Sequence, residues 1–321
     1  MRCRKLGRTG LEVSEIGFGA WGIGADAWKG AVDEVSLAAM RRAIELGVNF
    51  IDTAIVYGSG HSEELVGKIK REHPEVILAT KINPANWEWP AKHTTPADAA
   101  FSAEHVTART EESLRNLAVD TIDVQQFHVW SDSWVDQGTW LEGIERLKRD
   151  GKIRFFGVSL NDAEAGSAQK LVESGLVDTV QVIYNVFDQA ADDELFPACE
   201  RQDVGVIVRV PLDEGALTGK VRPDTVFAEG DFRNDYFSGD RKEQVWEHVQ
   251  RIAADLGIEI DELPRAALRF CLVPDAVSTI IVGMRSIEHV EANAAVSDAG
   301  PLSAEQIELL RPHRWVHQWY H

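Results

Sequence analysis

The sequence of 321 residues contains only three cysteines, Cys3, Cys199 and Cys271, and they lie far apart. A structural zinc site needs closely spaced cysteines or histidines, and none are present. Three distant cysteines also exclude a disulfide framework, so we expect reduced thiols packed as small apolar side chains. The histidines of the C-terminal segment RPHRWVHQWYH (311–321) lack a carboxylate or cysteine partner at metal spacing. No metal site is predicted.

Positive charge is also scarce, because 33 basic and 52 acidic residues give a net charge of −19. Nucleic acids and anionic membranes bind positive surfaces, so we expect neither as a partner. No run of about 18 apolar residues is present, and the start MRCRKLGRTG lacks the apolar core of a signal peptide. These absences predict a cytoplasmic protein that acts on a small molecule, as a monomer or a small homo-oligomer.

Short apolar runs alternate with longer amphipathic stretches along the chain. The predicted strands are 48–51, 76–79, 122–124, 153–158, 179–182, 204–208 and 277–282. The predicted helices are 33–46, 63–71, 103–117, 140–149, 162–173, 192–201 and 241–256. The strands are aliphatic without alternation, which is typical of parallel strands buried on both faces. Seven or eight βα units without a linker predict one domain over residues 1–321, a closed (β/α)8 TIM barrel.

An open dinucleotide-binding sheet is the competing fold. Residues 17–22 (GFGAWG) are rich in glycine, but no GxGxxG leads directly into a helix. Glycines 47, 151 and 175 each follow a predicted helix, where a left-handed cap is favoured. The longest irregular stretch, residues 211–240, follows the strand predicted over 204–208, which is strand 7 of the barrel if a first strand precedes residue 48. A loop of that length in a compact domain is typically functional.

Four reactive side chains follow three successive predicted strands. Asp52 and Tyr57 follow the first of these strands, Lys81 the second and His128 the third. Barrel enzymes carry their chemistry at the carboxyl ends of the strands, so these side chains should meet at one rim. An ammonium near a tyrosine hydroxyl stabilises the phenolate and makes the proton easier to donate. Asp52 would balance Lys81, and a neutral His128 would orient a carbonyl oxygen.

These four side chains can deliver a proton to a carbonyl group, but they include no obvious nucleophile and cannot supply a hydride. Reduction of the carbonyl therefore requires a hydride donor such as a nicotinamide cofactor. A non-redox barrel enzyme, such as an isomerase, is the alternative that the residues leave open.

At this point the sequence resembles the aldo-keto reductase superfamily over nearly its whole length. The similar segments are KLGRTGLEVSEIGFGAWGIG, GVNFIDTAIVYGSGHSEELVGK, ILATK, TIDVQQFH, GKIRFFGVSLND, VQVIYNVFD and STIIVGMRSIEHVEANAAV. The resemblance implies a (β/α)8 barrel with an N-terminal β-hairpin and NAD(P)H-dependent reduction of an aldehyde or ketone to an alcohol. It also implies a catalytic tetrad of Asp52, Tyr57, Lys81 and His128. A slow-turnover, NADPH-binding redox-sensing subunit is the alternative within the family.

The resemblance also implies a set of cofactor contacts. They are Gly19, Trp21, Asp52, Ser159, Asn161, Gln181, Arg209, Pro211, Leu212, Gly215, Leu217, Gly283, Arg285, His289 and Asn293. Arg209 stands where the family often has an aromatic residue against the nicotinamide, and its guanidinium plane could cover the ring. A helix starting near Arg285 suits the 2′-phosphate of NADPH, so NADPH is predicted, with NADH as the alternative. His289 and Ala292 replace residues that often strengthen this site in the family.

The sequence is rich in tryptophan, with ten residues of this type. Several of them follow the strands that carry Lys81 and His128, and the others include Trp21, in the N-terminal segment that resembles the family's hairpin and first strand. Flat aromatic faces bind apolar carbons and sugar C–H faces, which suits a carbonyl substrate. The predicted substrate pocket consists of Trp21, Tyr57, Trp87, His128 and Trp130. We also expect the C-terminal segment 311–321 to fold back over the pocket or to mediate subunit contacts.

Overall fold

The computed structural model describes residues 1–162 and 164–320. These residues form ten strands: β1 (Cys3–Lys5), β2 (Glu12–Ser14), β3 (Ile16–Gly19), β4 (Phe50–Asp52), β5 (Ile77–Ile82), β6 (Ile122–Phe127), β7 (Ile153–Ser159), β8 (Thr179–Ile183), β9 (Gly205–Arg209) and β10 (Val277–Gly283). Strands β3 to β10 form a closed barrel in sequence order, with β10 beside β3. Every barrel pair is parallel. The predicted (β/α)8 barrel is confirmed, and the open dinucleotide-binding sheet is excluded.

The helices lie between successive strands along the chain and in the segments after β9 and β10. They are α1 (Asp33–Glu45), α2 (His61–Glu72), α3 (Ala97–Phe101), α4 (Ala103–Leu117), α5 (Trp140–Arg149), α6 (Gln169–Ser174), α7 (Leu195–Gln202), α8 (Arg233–Tyr236), α9 (Arg241–Leu256), α10 (Leu263–Cys271), α11 (Ile287–Ala294) and α12 (Ala304–Leu310). The predictions over 103–117, 140–149 and 241–256 match α4, α5 and α9. The helix predicted over 162–173 is wrong at its start, because a 3-10 turn at Ala165–Ala168 precedes α6. No helix among the described residues is long and apolar enough to cross a membrane.

The N-terminal hairpin of β1 and β2 closes one end of the barrel. Leu6, Leu11 and Val13 pack against one residue from each of several strands: Phe50, Ala79, Val124, Ile207 and Ile281. Gly7 makes this approach possible, since an added Cβ would lie 2.3 Å from the backbone nitrogen of Gly205. The remaining large core lies between the strands and the surrounding helices. Leu6, Leu11 and Val13 with these strand residues form a hydrophobic plug at one end of the barrel, and the described residues leave the opposite end for chemistry.

Candidate active site

The side chains that could carry chemistry lie two residues further along the strands than the residues of the hydrophobic plug. Side chains in a strand alternate between its faces, so residues two positions apart share a face. Asp52 therefore lies on the same face of its strand as Phe50, and Lys81 lies on the same face as Ala79. The same relation joins Val124 to Gln126 in β6. The period of two explains why apolar residues fill the closed end while polar residues meet at the mouth.

Lys81 connects Asp52 with Tyr57. Its ammonium group is bonded to the Asp52 carboxylate, and it lies 2.9 Å from the Thr53 carbonyl oxygen and 3.4 Å from the Tyr57 hydroxyl oxygen. The Lys81 side chain is almost fully buried, as is that of Asp52. Burial lowers the pKa of Lys81, but attraction by Asp52 and Tyr57 more than offsets it, so the pKa lies above its ordinary value. Lys81 is therefore a fixed positive charge.

Two amides complete the environment of the Asp52 carboxylate. Gln126 and Gln181 donate to its second oxygen at 3.0 and 2.9 Å. Both glutamines are buried in the barrel mouth. Gln126 was not predicted as a site residue, although its position two residues before His128 and two after Val124 was a usable signal. With Lys81, these contacts satisfy a carboxylate that would otherwise be costly to bury.

The Tyr57 hydroxyl keeps its proton at neutral pH. Burial raises the pKa of Tyr57, and the nearby positive charges of Lys81 and Arg209 lower it only in part. The pKa of Tyr57 therefore lies above its ordinary value, although the sequence predicted that Lys81 would make the proton easier to donate. Tyr57 is thus a protonated phenol whose ionised form is stabilised by the neighbouring Lys81 and more weakly by Arg209.

A close contact between two loops fixes the segment that carries Tyr57. Gly58 has a φ of 62°, and an added Cβ would lie 2.1 Å from the carbonyl oxygen of Gly24. Its N–H donates to a carboxylate oxygen of Asp26 at 2.9 Å. Only glycine fits this combination of left-handed backbone and close approach. The loop after β3 therefore holds the tyrosine loop in place.

His128 is neutral in this environment. Burial and the positive charges of Lys81 and Arg209 hold the pKa of His128 well below its ordinary value. The imidazole ring lies 5.7 Å from the Tyr57 ring and 4.8 Å from the Trp89 ring, between centroids. Its buried Nδ1 has no hydrogen-bond partner among the described residues. A neutral imidazole has one donor and one acceptor nitrogen, and this ring presents them next to the Tyr57 ring.

Above these residues lies a cavity of about 1730 Å³. Ligand sites typically occupy roughly 300–1,000 Å³, so this one is large enough for a substrate beside a second, larger molecule. The predicted site residues that line it are Gly19, Trp21, Asp52, Tyr57, His128, Ser159, Gln181, Arg209, Pro211, Leu212, Gly215, Gly283, Arg285, His289 and Asn293. The predicted irregular stretch 211–240 also contributes to the lining, through several residues.

Two predicted cofactor contacts do not line the cavity. The Asn161 amide accepts from the Ala91 N–H and donates to the Ala91 carbonyl, both at 3.0 Å, so it secures the loop after β5. Leu217 is fully buried in the hydrophobic core. The structure brings Ser159, two residues before Asn161, to the cavity instead.

Two of the predicted pocket tryptophans lie elsewhere. Trp87 is 65% exposed and does not line the cavity. Trp130 is fully buried against Trp134 and Trp140, and its indole N–H donates to Asp132. The loop after β6 turns inward to extend the core, which a tryptophan count could not reveal. Trp89 lines the cavity beside His128.

The C-terminal segment folds back onto the barrel, which confirms one of its two expected arrangements. The Trp315 N–H donates to the Phe187 carbonyl oxygen at 2.8 Å. His317 pairs with Asp213 at 3.3 Å, and the Tyr320 hydroxyl donates to Glu214. Tyr320 also lines the cavity. Sequence reasoning missed Glu214 and Tyr320 as a pair, because the two are 106 residues apart along the chain.

The far end of the cavity carries charges of both signs. Arg285 donates to the Lys29 carbonyl oxygen at 2.9 Å, and its guanidinium lies 5.2 Å from the centre of the Trp28 ring. The basic side chains here are Lys220, Arg222, Arg233, Arg265, Arg285 and His289, and the acidic ones are Glu259, Asp261, Glu262 and Glu288. Helix α11 begins beside this group, with the Ser286 side chain capping the His289 N–H. The cations and the helix N-terminus together suit an anionic group.

Comparison with known sequences and structures identifies the family. The sequence model described as "Aldo/keto reductase family" matches residues 15–314, nearly the whole chain. The chain is a member of the aldo-keto reductase family. It is therefore an oxidoreductase of a family that uses a nicotinamide cofactor and acts on small molecules.

Similar proteins support this assignment along the full length of the reductase. One relative, the uncharacterized oxidoreductase YqkF of Bacillus subtilis, is 29% identical, with 98% of this chain and 96% of that protein covered. The holo form of aldo-keto reductase AKR11C1 from Bacillus halodurans has a TM-score of 0.76 and 27% identity, with both chains fully covered. An aldo/keto reductase from Klebsiella pneumoniae, in complex with NADP and acetate, has a TM-score of 0.69 and 25% identity over 99% of this chain and 98% of that one.

Proposed function

We propose that this reductase converts an aldehyde or ketone to an alcohol, with hydride from NADPH and a proton from Tyr57. One observation carries the proposal: the Tyr57 hydroxyl oxygen, 3.4 Å from the buried Lys81 ammonium, lies in the same cavity as a neutral His128. The Lys81 ammonium stabilises the phenolate that forms and so offsets part of the cost that burial adds to proton donation. General acid catalysis by a positioned side chain contributes about 10²–10⁴-fold.

Each residue has a defined part in this reaction. Tyr57 donates its proton to the carbonyl oxygen, and Lys81 stabilises the phenolate that remains. Asp52 keeps Lys81 charged and in place. His128 donates a hydrogen bond to the same carbonyl oxygen and so orients the carbonyl carbon. A bound nicotinamide supplies the hydride in this chemistry.

The residues at the barrel mouth fit a nicotinamide carboxamide. The Oε1 atom of Gln181 is buried and has no partner among the described residues, so it offers a free acceptor. Ser159 lies opposite Gln181 in the strand register and adds a hydroxyl group. Gly215 and Gly283 leave open space where a Cβ would stand, which allows a ligand to approach the backbone. These features support Ser159 and Gln181 as carboxamide contacts.

The cations at the far end of the cavity favour NADPH over NADH. Arg285 stands one residue before the capping serine of α11, where a 2′-phosphate would meet both the guanidinium and the backbone N–H groups. The solved relative that holds NADP gives further support. The four carboxylates in the same region oppose this attraction and make the preference a moderate one.

Replacement of Tyr57 by Phe tests the proposal. The variant should lose at least 10²-fold in turnover of any aldehyde that the unmodified enzyme reduces, while the dissociation constant for NADPH stays within about threefold. Tyr184→Phe is the matched control, because it removes a phenol hydroxyl that contacts Asp192 outside the cavity. Near-normal turnover by the Tyr57 variant would contradict the assignment. Tight NADPH binding without turnover of any carbonyl by the unmodified chain would do so too.

A further inference from the structure

Glu214 is a buried acidic residue that the proposed reaction does not use. It lies in the 3-10 segment Asp213–Thr218 after β9 and lines the same cavity as Tyr57 and His128. Its carboxyl group accepts a hydrogen bond from the Tyr320 hydroxyl. Arg209 ends β9 at the barrel mouth, and the segment with Glu214 follows shortly after it, so Glu214 stands at the same rim of the barrel as Tyr57 and His128.

The chain keeps Glu214 in place against its local preference. Asp213 and Glu214 have φ values of 49° and 52°, in the left-handed region that favours glycine. Such a conformation costs about 1–3 kcal/mol at each residue and persists only where the surroundings enforce it. Tyr236 and His317 both hold the Asp213 carboxylate at 3.3 Å. The contacts of Asp213 with Tyr236 and His317 thus help to hold the neighbouring Glu214 carboxyl group at the cavity wall.

The surroundings of Glu214 indicate what it could bind. A carboxylate has about four lone-pair sites, and the Tyr320 hydroxyl occupies one of them. The cavity also presents the aromatic rings of Trp21, Trp89 and Tyr320. Aromatic faces contact C–H groups, while a carboxylate accepts hydrogen bonds from hydroxyl groups. A short hydroxylated carbon chain satisfies both.

We propose that Glu214, held by Tyr320, is a specificity-determining residue that accepts a hydrogen bond from a hydroxyl group of the substrate. The preferred substrates are then hydroxy-aldehydes and hydroxy-ketones rather than unsubstituted carbonyl compounds. This inference rests on the proposed carbonyl reduction and names its substrate class. A site built to bond a hydroxyl rejects the analogue that lacks it, because its own polar group is left unpaired.

Anionic substrates fit this end of the cavity less well. Arg209 is a cation there, but it is paired with Asp162 at 2.6 Å and donates to the Leu160 carbonyl at 2.9 Å. Asp213 adds a further carboxylate beside Glu214. An incoming carboxylate would therefore meet Glu214 and Asp213 beside a guanidinium that Asp162 already neutralises.

Paired substrates test the inference. The kcat/KM ratios of glyceraldehyde to propanal and of glycolaldehyde to acetaldehyde are measured for the unmodified enzyme and for Glu214→Gln, Tyr320→Phe and Glu229→Gln. Glu229 is an exposed acid of the same loop that does not line the cavity, so its variant should behave as the unmodified enzyme. The assays are run at pH 8, above the pKa of about 7 to which burial raises Glu214, so that its carboxyl group is ionised. Loss of a hydrogen bond to a charged group costs about 1.5–3 kcal/mol. Glu214→Gln should lower both ratios by about 10-fold or more, with propanal and acetaldehyde unchanged, and Tyr320→Phe should lower them less.

Several outcomes would overturn the inference. Ratios that do not change in Glu214→Gln and Tyr320→Phe would do so, and so would an equal loss with both members of each pair. Faster turnover of glyoxylate than of glycolaldehyde would assign this end of the cavity to Arg209 and an anionic substrate.

A binding measurement separates this inference from the proposed reaction. Quenching of tryptophan fluorescence by glycerol and by 1-propanol compares the two alcohols without any turnover. Glycerol should bind more tightly than 1-propanol, and Glu214→Gln should remove the difference. Equal binding of the two alcohols by the unmodified enzyme overturns the inference, even where carbonyl reduction is observed. A loss of reduction with the glycerol preference intact would contradict only the proposed function.

Discussion

The ammonium nitrogen of Lys81 lies 3.4 Å from the hydroxyl oxygen of Tyr57. The two residues come from different places, one from within β5 and the other from the loop after β4. Strand register sets the first position, and the contact of Gly58 with Gly24 sets the second. The proton donor and its stabilising charge are therefore fixed by the barrel before any ligand binds, which is the pre-organisation that electrostatic catalysis needs.

Lys81→Met should remove both a stabilising charge and a buried counter-ion. Turnover should fall at least 10²-fold, because the Tyr57 phenolate loses its neighbouring cation. The free energy of unfolding in urea should fall by about 3–5 kcal/mol, because Asp52 remains buried without its partner. Lys148→Met is the control, since it breaks a half-exposed pair with Asp178 worth less than about 1 kcal/mol. Equal stability losses in the two variants would contradict the buried-charge argument.

Arg285→Gln should weaken NADPH binding selectively. A guanidinium–phosphate bond contributes about 1.5–3 kcal/mol, so the dissociation constant for NADPH should rise about 10-fold to 100-fold. NADH lacks the 2′-phosphate, and its dissociation constant should change less than about threefold. Fluorescence titration of both cofactors measures the ratio, with Arg149→Gln, at an exposed position in the last turn of α5, as the control. An equal change for the two cofactors would remove Arg285 from the proposed phosphate site.

Trp89 and Trp130 should behave differently when replaced. Trp89→Ala should raise KM for the best substrate while stability changes little, because the ring is only partly buried at the cavity wall. Trp130→Phe should leave KM unchanged and lower the free energy of unfolding by about 1–3 kcal/mol, since it opens space in a filled aromatic cluster. Steady-state kinetics and urea unfolding distinguish the two. A raised KM in Trp130→Phe would contradict its assignment to the core.

The barrel and its reactive rim could be predicted from the sequence, because both depend on local rules. Buried parallel strands read as aliphatic runs, and polar residues that follow each run lie near the barrel mouth. Asp52 comes directly after its run, whereas Lys81 follows Thr80 and His128 follows residues 125–127. The roles of these side chains needed the family resemblance as well as the spacing.

Contacts between distant loops could not be predicted in the same way. Trp130 follows a strand just as Trp89 does, yet one loop turns into the core and the other borders the cavity. Asn161 was placed by similarity, but its amide secures the loop at Ala91. The bond between Glu214 and Tyr320 depends on where the C-terminal segment docks, which no local pattern encodes.

Glu214 should make the stability of the enzyme depend on pH near neutrality. Burial raises the pKa of Glu214 to about 7 in the folded chain, against an ordinary value of 4.5. Between pH 4.5 and about 7, the folded state therefore holds a proton on Glu214 that the unfolded chain has released. The stability that this proton provides is complete below pH 4.5 and is lost as the pH rises through about 7. From these values the loss relative to Glu214→Gln is about 3 kcal/mol.

Melting temperatures of the unmodified enzyme and of Glu214→Gln, measured from pH 5 to pH 9, check this prediction. Arg209, Asp162, Asp213 and Tyr320 also act on the Glu214 carboxyl, and all four remain in the variant, so the difference between the two curves isolates Glu214. The difference should grow in favour of the variant between pH 5 and pH 8 and then level off. Parallel curves would mean that the carboxyl is ionised at little cost. The carboxylate would then be available to a substrate hydroxyl at every pH in this range, and the preference for hydroxylated aldehydes should not vary with pH.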